Sequence, residues 1–171
     1  MLLLVLVIDL FEFKAVRLHP GLDSVSFLPQ GMPAINTREF VIDDYDQAVA
    51  LWNVVEGVEV AEGDSKEEIR AYLLRNPGLS RVAEEDGAIV GAVLCGHDGR
   101  RGLIYHLAVA PAHHGKGIGK QLVQECVTQL HDTGITRALI LVASDNPRGR
   151  SFWLRNGWEE VPGALLMGID L

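Results

Sequence analysis

A chain of 171 residues, 48% of them hydrophobic, is long enough for one domain with a core of its own and too short for two comfortable ones. Its formal charge of −8 speaks against nucleic acid as a partner, because phosphate contacts need a basic face and Lys and Arg occur here only singly or in pairs such as Arg100-Arg101. The apolar opening, MLLLVLVI, falls short of the roughly 20 residues that a membrane helix requires and is closed by Asp9, so no membrane partner is expected.

Residues 1–33 differ in character from the rest: FEFKAVRL alternates with period two and HPGLDSVSFLPQGMP is punctuated by Pro and Gly. They read as an N-terminal appendage to a domain spanning residues 34–171. Within that domain INTREFVI is a strand candidate. DDYDQAVALWNVVE is an amphipathic helix with Asp43 or Asp44 as its cap. A second helix, in DSKEEIRAYLLRNPG, opens on Ser65 and Glu68 at the spacing of a capping box and stops at Asn76-Pro77-Gly78.

The next stretch, SRVAEEDGAIVGAVLCGHDGRRGLIYHLAV, reads as three strands joined by two Asp-Gly turns. A third helix buries Ile118, Leu122, Val123, Cys126, Val127 and Leu130 on one stripe and stops at Gly134. RALILVAS is an apolar strand expected to be buried on both faces, and a short fourth helix has Asn146 as N-cap, Pro147 in its first turn and Gly157 beyond its end. WEEV and ALLMGIDL are expected to close the chain as two strands. The sum is an α/β domain with a mixed, mostly antiparallel central sheet of about six or seven strands and about four helices. Cys95 and Cys126 sit inside apolar patterns without CxxC or zinc spacing, which suits a reduced, cytoplasmic protein.

Between the strand GLIYHLAV and the third helix lies APAHHGKGIGK, with glycines at 115, 117 and 119. A strand that enters a helix through small residues aims free backbone N–H groups and the positive end of the helix dipole at one spot, which favours phosphate. Lys116 and Lys120 add charge beside it. A Walker A loop is excluded, since Gly115 to Gly119 is one residue short and Gln121 stands where Ser or Thr is needed; the dinucleotide fingerprint fails on Lys120 and Leu122.

IYHLAVAPAHHGKGIGKQLV resembles the acyl-coenzyme A signature of the GNAT superfamily of N-acetyltransferases, [QR]-x-x-G-x-[GA], matching at Gly117 and Gly119 and departing at His114, where Gln or Arg is usual. A second block, NPRGRSFWLRNGW, is similar to that family's later motif at Asn146, Gly149, Trp153, Gly157 and Trp158. The resemblance covers roughly Ile35 to Leu171. It implies transfer of an acetyl group from acetyl-CoA to a primary amine, small molecule or peptide, by direct attack in a ternary complex. Leu107, Ala108 and Val109 would then lie along the pantetheine arm, with the Leu107 N–H at the developing oxyanion. His114, Gly115, Lys116, Gly117, Ile118, Gly119, Lys120, Asn146 and Trp153 would hold the rest of the donor.

The family often protonates the departing thiolate with a Tyr, but Trp153 occupies the aligned position here. Tyr105 is the nearby phenol that could substitute as acid and His106 is the alternative as base. Adjacent strand residues face opposite sides, so only one of the two is expected to see the cleft. On the acceptor side, acidic residues crowd the first two helices and their linker, where Glu59, Glu62 and Asp64 suit a cationic amine and Trp52 could wall the pocket. His106, His113 and His114 match no zinc pattern, so no metal is expected. Two other roles stay open: an acyl-CoA-binding sensor without turnover, and an interaction protein, a homodimer included, in which MLLLVLVI adds a strand to a sheet edge.

Overall fold

The computed structural model describes residues 34–163 and 167–169. The N-terminal appendage expected for residues 1–33, and most of ALLMGIDL, lie outside the described residues. In chain order the elements are β1 (Asn36–Glu39), a 3₁₀ turn (Ile42–Asp44), α1 (Tyr45–Trp52), α2 (Lys66–Arg75), β2 (Arg81–Glu85), β3 (Ala88–His97) and β4 (Gly102–Val109). A second 3₁₀ turn (Pro111–His113), α3 (Ile118–Asp132), β5 (Ala138–Ile140) and α4 (Pro147–Arg155) follow.

The five strands form one sheet in the order β1-β2-β3-β4-β5, antiparallel at the first three junctions and parallel between β4 and β5. The fold class expected from the sequence is the one observed, mixed and mostly antiparallel with four α-helices. Among the described residues the strands number five: WEEV is irregular, and the strand in RALILVAS is confined to Ala138–Ile140, half-buried instead of enclosed on both faces. β3 is the central strand, and its alternation sorts the core into two halves. Val93 and Cys95 face a cluster with Ile118, Leu122, Cys126 and Trp153 from α3 and α4. Ala92 and Leu94 face a cluster with Ala48, Trp52 and Ile69 from α1 and α2. Gly91 allows close seating of α3, since a Cβ there would meet Ile118 and Leu122 at 3.1 Å.

The capping box of α2 is present as read: the Ser65 hydroxyl accepts from the Glu68 N–H, and the Glu68 carboxylate accepts from the Ser65 N–H. Asn146 caps α4 by accepting from the Gly149 N–H at 2.7 Å. Asp44 acts one step earlier than a cap of α1 would. Its carboxylate accepts from the Val41 N–H ahead of the 3₁₀ turn and takes a two-pronged bond from Arg38 at 2.7 and 2.8 Å. Arg38 also reaches Glu84 on β2, so the edge strand is locked to its neighbour and to the start of α1. Burial pushes the Asp44 carboxyl up, but the Arg38 guanidinium and the Val41 amide outweigh it and hold the group below the usual carboxylate range.

Asp44→Asn should cost about 1–3 kcal/mol at neutral pH by removing the ionic partner of Arg38. Because the folded-state value is depressed, that contribution is complete above about pH 4 and is lost as the pH falls below it. Thermal melts of both proteins at pH 7 and pH 3 should show a gap that closes in acid.

Candidate active site

β4 and β3 pair regularly from His97↔Gly102 to Leu94↔Tyr105, and again from Ala92↔Ala108 to Gly91↔Val109. Between these points β4 spends one residue more than β3, a β-bulge, and at the bulge His106 has φ +50°. The extra residue breaks the alternation of sides. Tyr105 and His106 both lie on the α1/α2 face, packed against Tyr72 and Trp52 respectively, while Leu107 returns to the α3/α4 face. The expectation that only one of the pair could see this side is therefore corrected by the bulge.

On its other edge β4 pairs with β5 only from Gly102 to Ile104. From Tyr105 to Val109, including the sequence-predicted contact residues Leu107, Ala108 and Val109, that edge has no strand beside it among the described residues. The chain then passes through Pro111–His113 into the glycine loop. Gly115 and Gly117 have φ of +79° and +82°, and a Cβ on either would meet nothing within 4 Å. Gly117 is the N-cap residue of α3 and supplies no side chain to its first turn, so the amides of Ile118, Gly119 and Lys120 lack an intrahelical acceptor. The loop presents backbone to open space, an arrangement of the kind that can hold an anion. At Gly119 a Cβ would come into ordinary contact with Phe152 of α4 and Val109 of β4, so there is room for a side chain no larger than a methyl group between the helix start and these residues.

Two histidines fix this loop. His114 Nε2 lies 2.8 Å from the Val109 carbonyl oxygen, folding the loop back on β4. His113 Nε2 lies 2.7 Å from Glu85 Oε2, and this imidazole holds the Glu85 carboxyl below its ordinary range. Lys116 Nζ is 3.9 Å from the same carboxylate. The sequence reading missed the pairing of His113 with Glu85, since nothing local relates two residues so far apart in the chain.

On the α1/α2 face His106 Nε2 is 2.8 Å from Asp64 Oδ1, and both side chains are largely buried. The Trp52 ring lies on His106 with centroids 4.8 Å apart. Asp64 Oδ2 accepts from the Ala61 N–H at 2.9 Å, and the Asp64 carbonyl takes the Tyr45 hydroxyl at 2.8 Å. Burial pushes the Tyr105 phenol up, so it keeps its proton at neutrality. Trp52 is fully buried and meets the site only through that ring face. Glu59 and Glu62 are exposed on the linker. Asn146 packs against that same linker, where a Cβ on Gly57 would collide with its amide. Trp153 is enclosed in the core between Phe152 and Trp158.

Comparison with known proteins gives the family to which this strand, loop and helix belong. Residues 44–158 match the model of the acetyltransferase (GNAT) family. An acetyltransferase of Sodalis glossinidius is 31% identical over 134 residues, covering 78% of this chain and 94% of that protein. One from Yersinia pseudotuberculosis is 34% identical over 109 residues, 64% of this chain and 77% of that protein. Among solved structures, the PaiA N-acetyltransferase of Thermoplasma acidophilum in complex with coenzyme A superposes with a TM-score of 0.64 at 22% identity, over 74% of this chain and 90% of that one. A predicted acetyltransferase of Clostridium acetobutylicum with acetyl-CoA gives 0.62 at 17%, over 79% and 96%. The chain belongs to the acetyltransferase (GNAT) family.

Gly117→Glu should abolish acetyl-CoA binding, a loss of at least about 100-fold by calorimetric titration, by placing bulk and negative charge in the concavity. Because the added Cβ meets no atom, the fold should survive with only the strain of a left-handed residue, about 1–2 kcal/mol.

Proposed function

We propose that this protein transfers an acetyl group from acetyl-CoA to a primary amine by direct attack, without an acyl-enzyme stage. The observation that carries this reading is the unpaired edge of β4 from Tyr105 to Val109, which runs straight into the glycine cradle of α3. A donor with a pyrophosphate at one end and an amide-bearing arm at the other fits both: phosphate oxygens at the amides of residues 115–120, arm along Leu107, Ala108 and Val109. The structures with coenzyme A and with acetyl-CoA named above have this fold, which supports the same donor here. Two free, buried thiols at Cys95 and Cys126 suit the cytoplasm.

The donor thioester would lie at the bulge, where the Leu107 N–H can donate to the carbonyl oxygen as negative charge develops on it. The amine approaches from the α1/α2 face, which carries both Tyr105 and His106. His106 takes the ammonium proton, and the neutral amine attacks the carbonyl carbon. As the C–N bond forms and the C–S bond breaks, Tyr105, still protonated, can donate to the departing sulfur. With Trp153 in the core, Tyr105 is the phenol nearest that role.

Calorimetric titration of acetyl-CoA followed by thiol release over a panel of amines tests the reading. Saturable binding with release for at least one amine is expected; binding without release would make the chain a sensor. Tyr105→Phe should lower kcat by about 10²-fold with little change in KM, and an unchanged rate would leave Tyr105 as packing for Tyr72.

A further inference from the structure

We infer that Asp64 and His106 form a carboxylate–imidazole dyad, in which Asp64 is a positioning residue that turns Nδ1 of His106 toward the acceptor amine, and not itself a contact for the amine's charge. The inference rests on the N-acetyltransferase reading above and deepens it. Three independent features meet at His106. The residue holds φ +50° inside a strand, a conformation that is strained for a non-glycine residue and persists only where its surroundings enforce it. Its ring packs against that of the buried Trp52, tilted by 53° with the centroids 4.8 Å apart. Its Nε2 is tied to Asp64 Oδ1 at 2.8 Å.

The chemistry of the carboxylate decides the roles. An ionised Asp accepts only, so the bond to it fixes the neutral imidazole as the Nε2–H tautomer and leaves the lone pair on Nδ1. Nδ1 makes no hydrogen bond among the described residues. Asp64 has little left to offer a substrate, because Oδ1 is on His106 and Oδ2 on the Ala61 amide. The groups recorded against the ring among the described residues are Trp52 from α1 and Asp64 from the linker, and the Tyr45 hydroxyl donates to the Asp64 carbonyl. The proton balance is simple. One proton passes from the ammonium to Nδ1 and the imidazolium is stabilised by Asp64; as the amine forms its bond to the carbonyl carbon and the C–S bond breaks, Tyr105 protonates the departing sulfur, the second proton shed by the acylated nitrogen restores the Tyr105 phenol, and His106 returns its proton to water.

The test compares wild type, Asp64→Asn, Asp64→Glu and His106→Gln with a saturating amine. Asp64→Asn should lower kcat by about 10²-fold while acetyl-CoA affinity and the KM for the amine stay within about twofold. Asp64→Glu should recover part of the rate. Wild-type kcat in Asp64→Asn would overturn the dyad. If Asp64→Asn does not fold, His106→Gln carries the test, and unaltered turnover in it has the same force. Ring ¹⁵N shifts of His106 provide a readout without turnover: a single Nε2–H tautomer in the neutral wild type is expected, and an Nδ1–H form or a mixture would overturn the proposal. Absence of thiol release from wild type with every amine would sink the transferase reading, while the ring spectrum would still decide the dyad.

Discussion

The extra residue that β4 inserts opposite β3 is the constraint on which the site depends. A regular strand would send Tyr105 and His106 to opposite faces and Leu107 with Tyr105 to the α1/α2 side. The bulge instead places two ionisable side chains together on the α1/α2 face, and still returns Leu107 and Val109 to the α3/α4 core and Ala108 to the other. The required backbone twist falls on a histidine instead of a glycine. What holds it there is tertiary: Trp52 on one side and Asp64 at the ring nitrogen. A positive φ in a non-glycine residue, enforced by packing against Trp52 and a hydrogen bond to Asp64, is the kind of local strain that functional sites retain.

The parting of β4 and β5 gives the bulge its chemical setting. An unpaired strand edge is ordinarily a liability, open to any chain that can hydrogen-bond to it. Here the exposed stretch is short, ends at the second 3₁₀ turn, and is flanked by the start of α3, whose glycine N-cap leaves its amides free. Strand end and helix start are joined by only the short loop between Val109 and Ile118, which His114 ties back to the Val109 carbonyl.

Features that depend on a few consecutive residues were legible in the sequence. Ser65 and Glu68 form the capping box, Asn146 caps α4, the buried residues of α3 follow its stripe, and both Asp-Gly turns join antiparallel strands. The glycine-rich passage from β4 into α3 was legible for the same reason, since it depends on one short stretch of backbone. The bulge was not, because His106 is no turn residue and the apolar run GLIYHLAV carries no break in pattern. Nor was the pairing of Asp64 with His106, which lie 42 residues apart; Asp64 looked like one more carboxylate in an acidic linker. RALILVAS promised a longer strand than β5 because its hydrophobicity serves the α3/α4 cluster after the ladder has ended: Val142 still packs there beyond Ile140.

The charge around the cradle shows why its backbone matters more than its lysines. Glu85, at the end of β2, places a carboxylate beside the loop, and the His113 bond keeps that carboxyl ionised well into acid. Alone it would repel phosphate. Lys116 turns toward it, so part of the positive charge that the sequence offers an anion is already engaged within the chain. In the proposed reading the attraction for phosphate then falls to Lys120 and the amides of the loop and first helical turn, together with the helix dipole. Those groups carry no counter-charge and need no rearrangement to meet a phosphate. The family's usual Gln or Arg can therefore give way to His114, whose side chain is spent on the Val109 carbonyl, without dismantling the cradle.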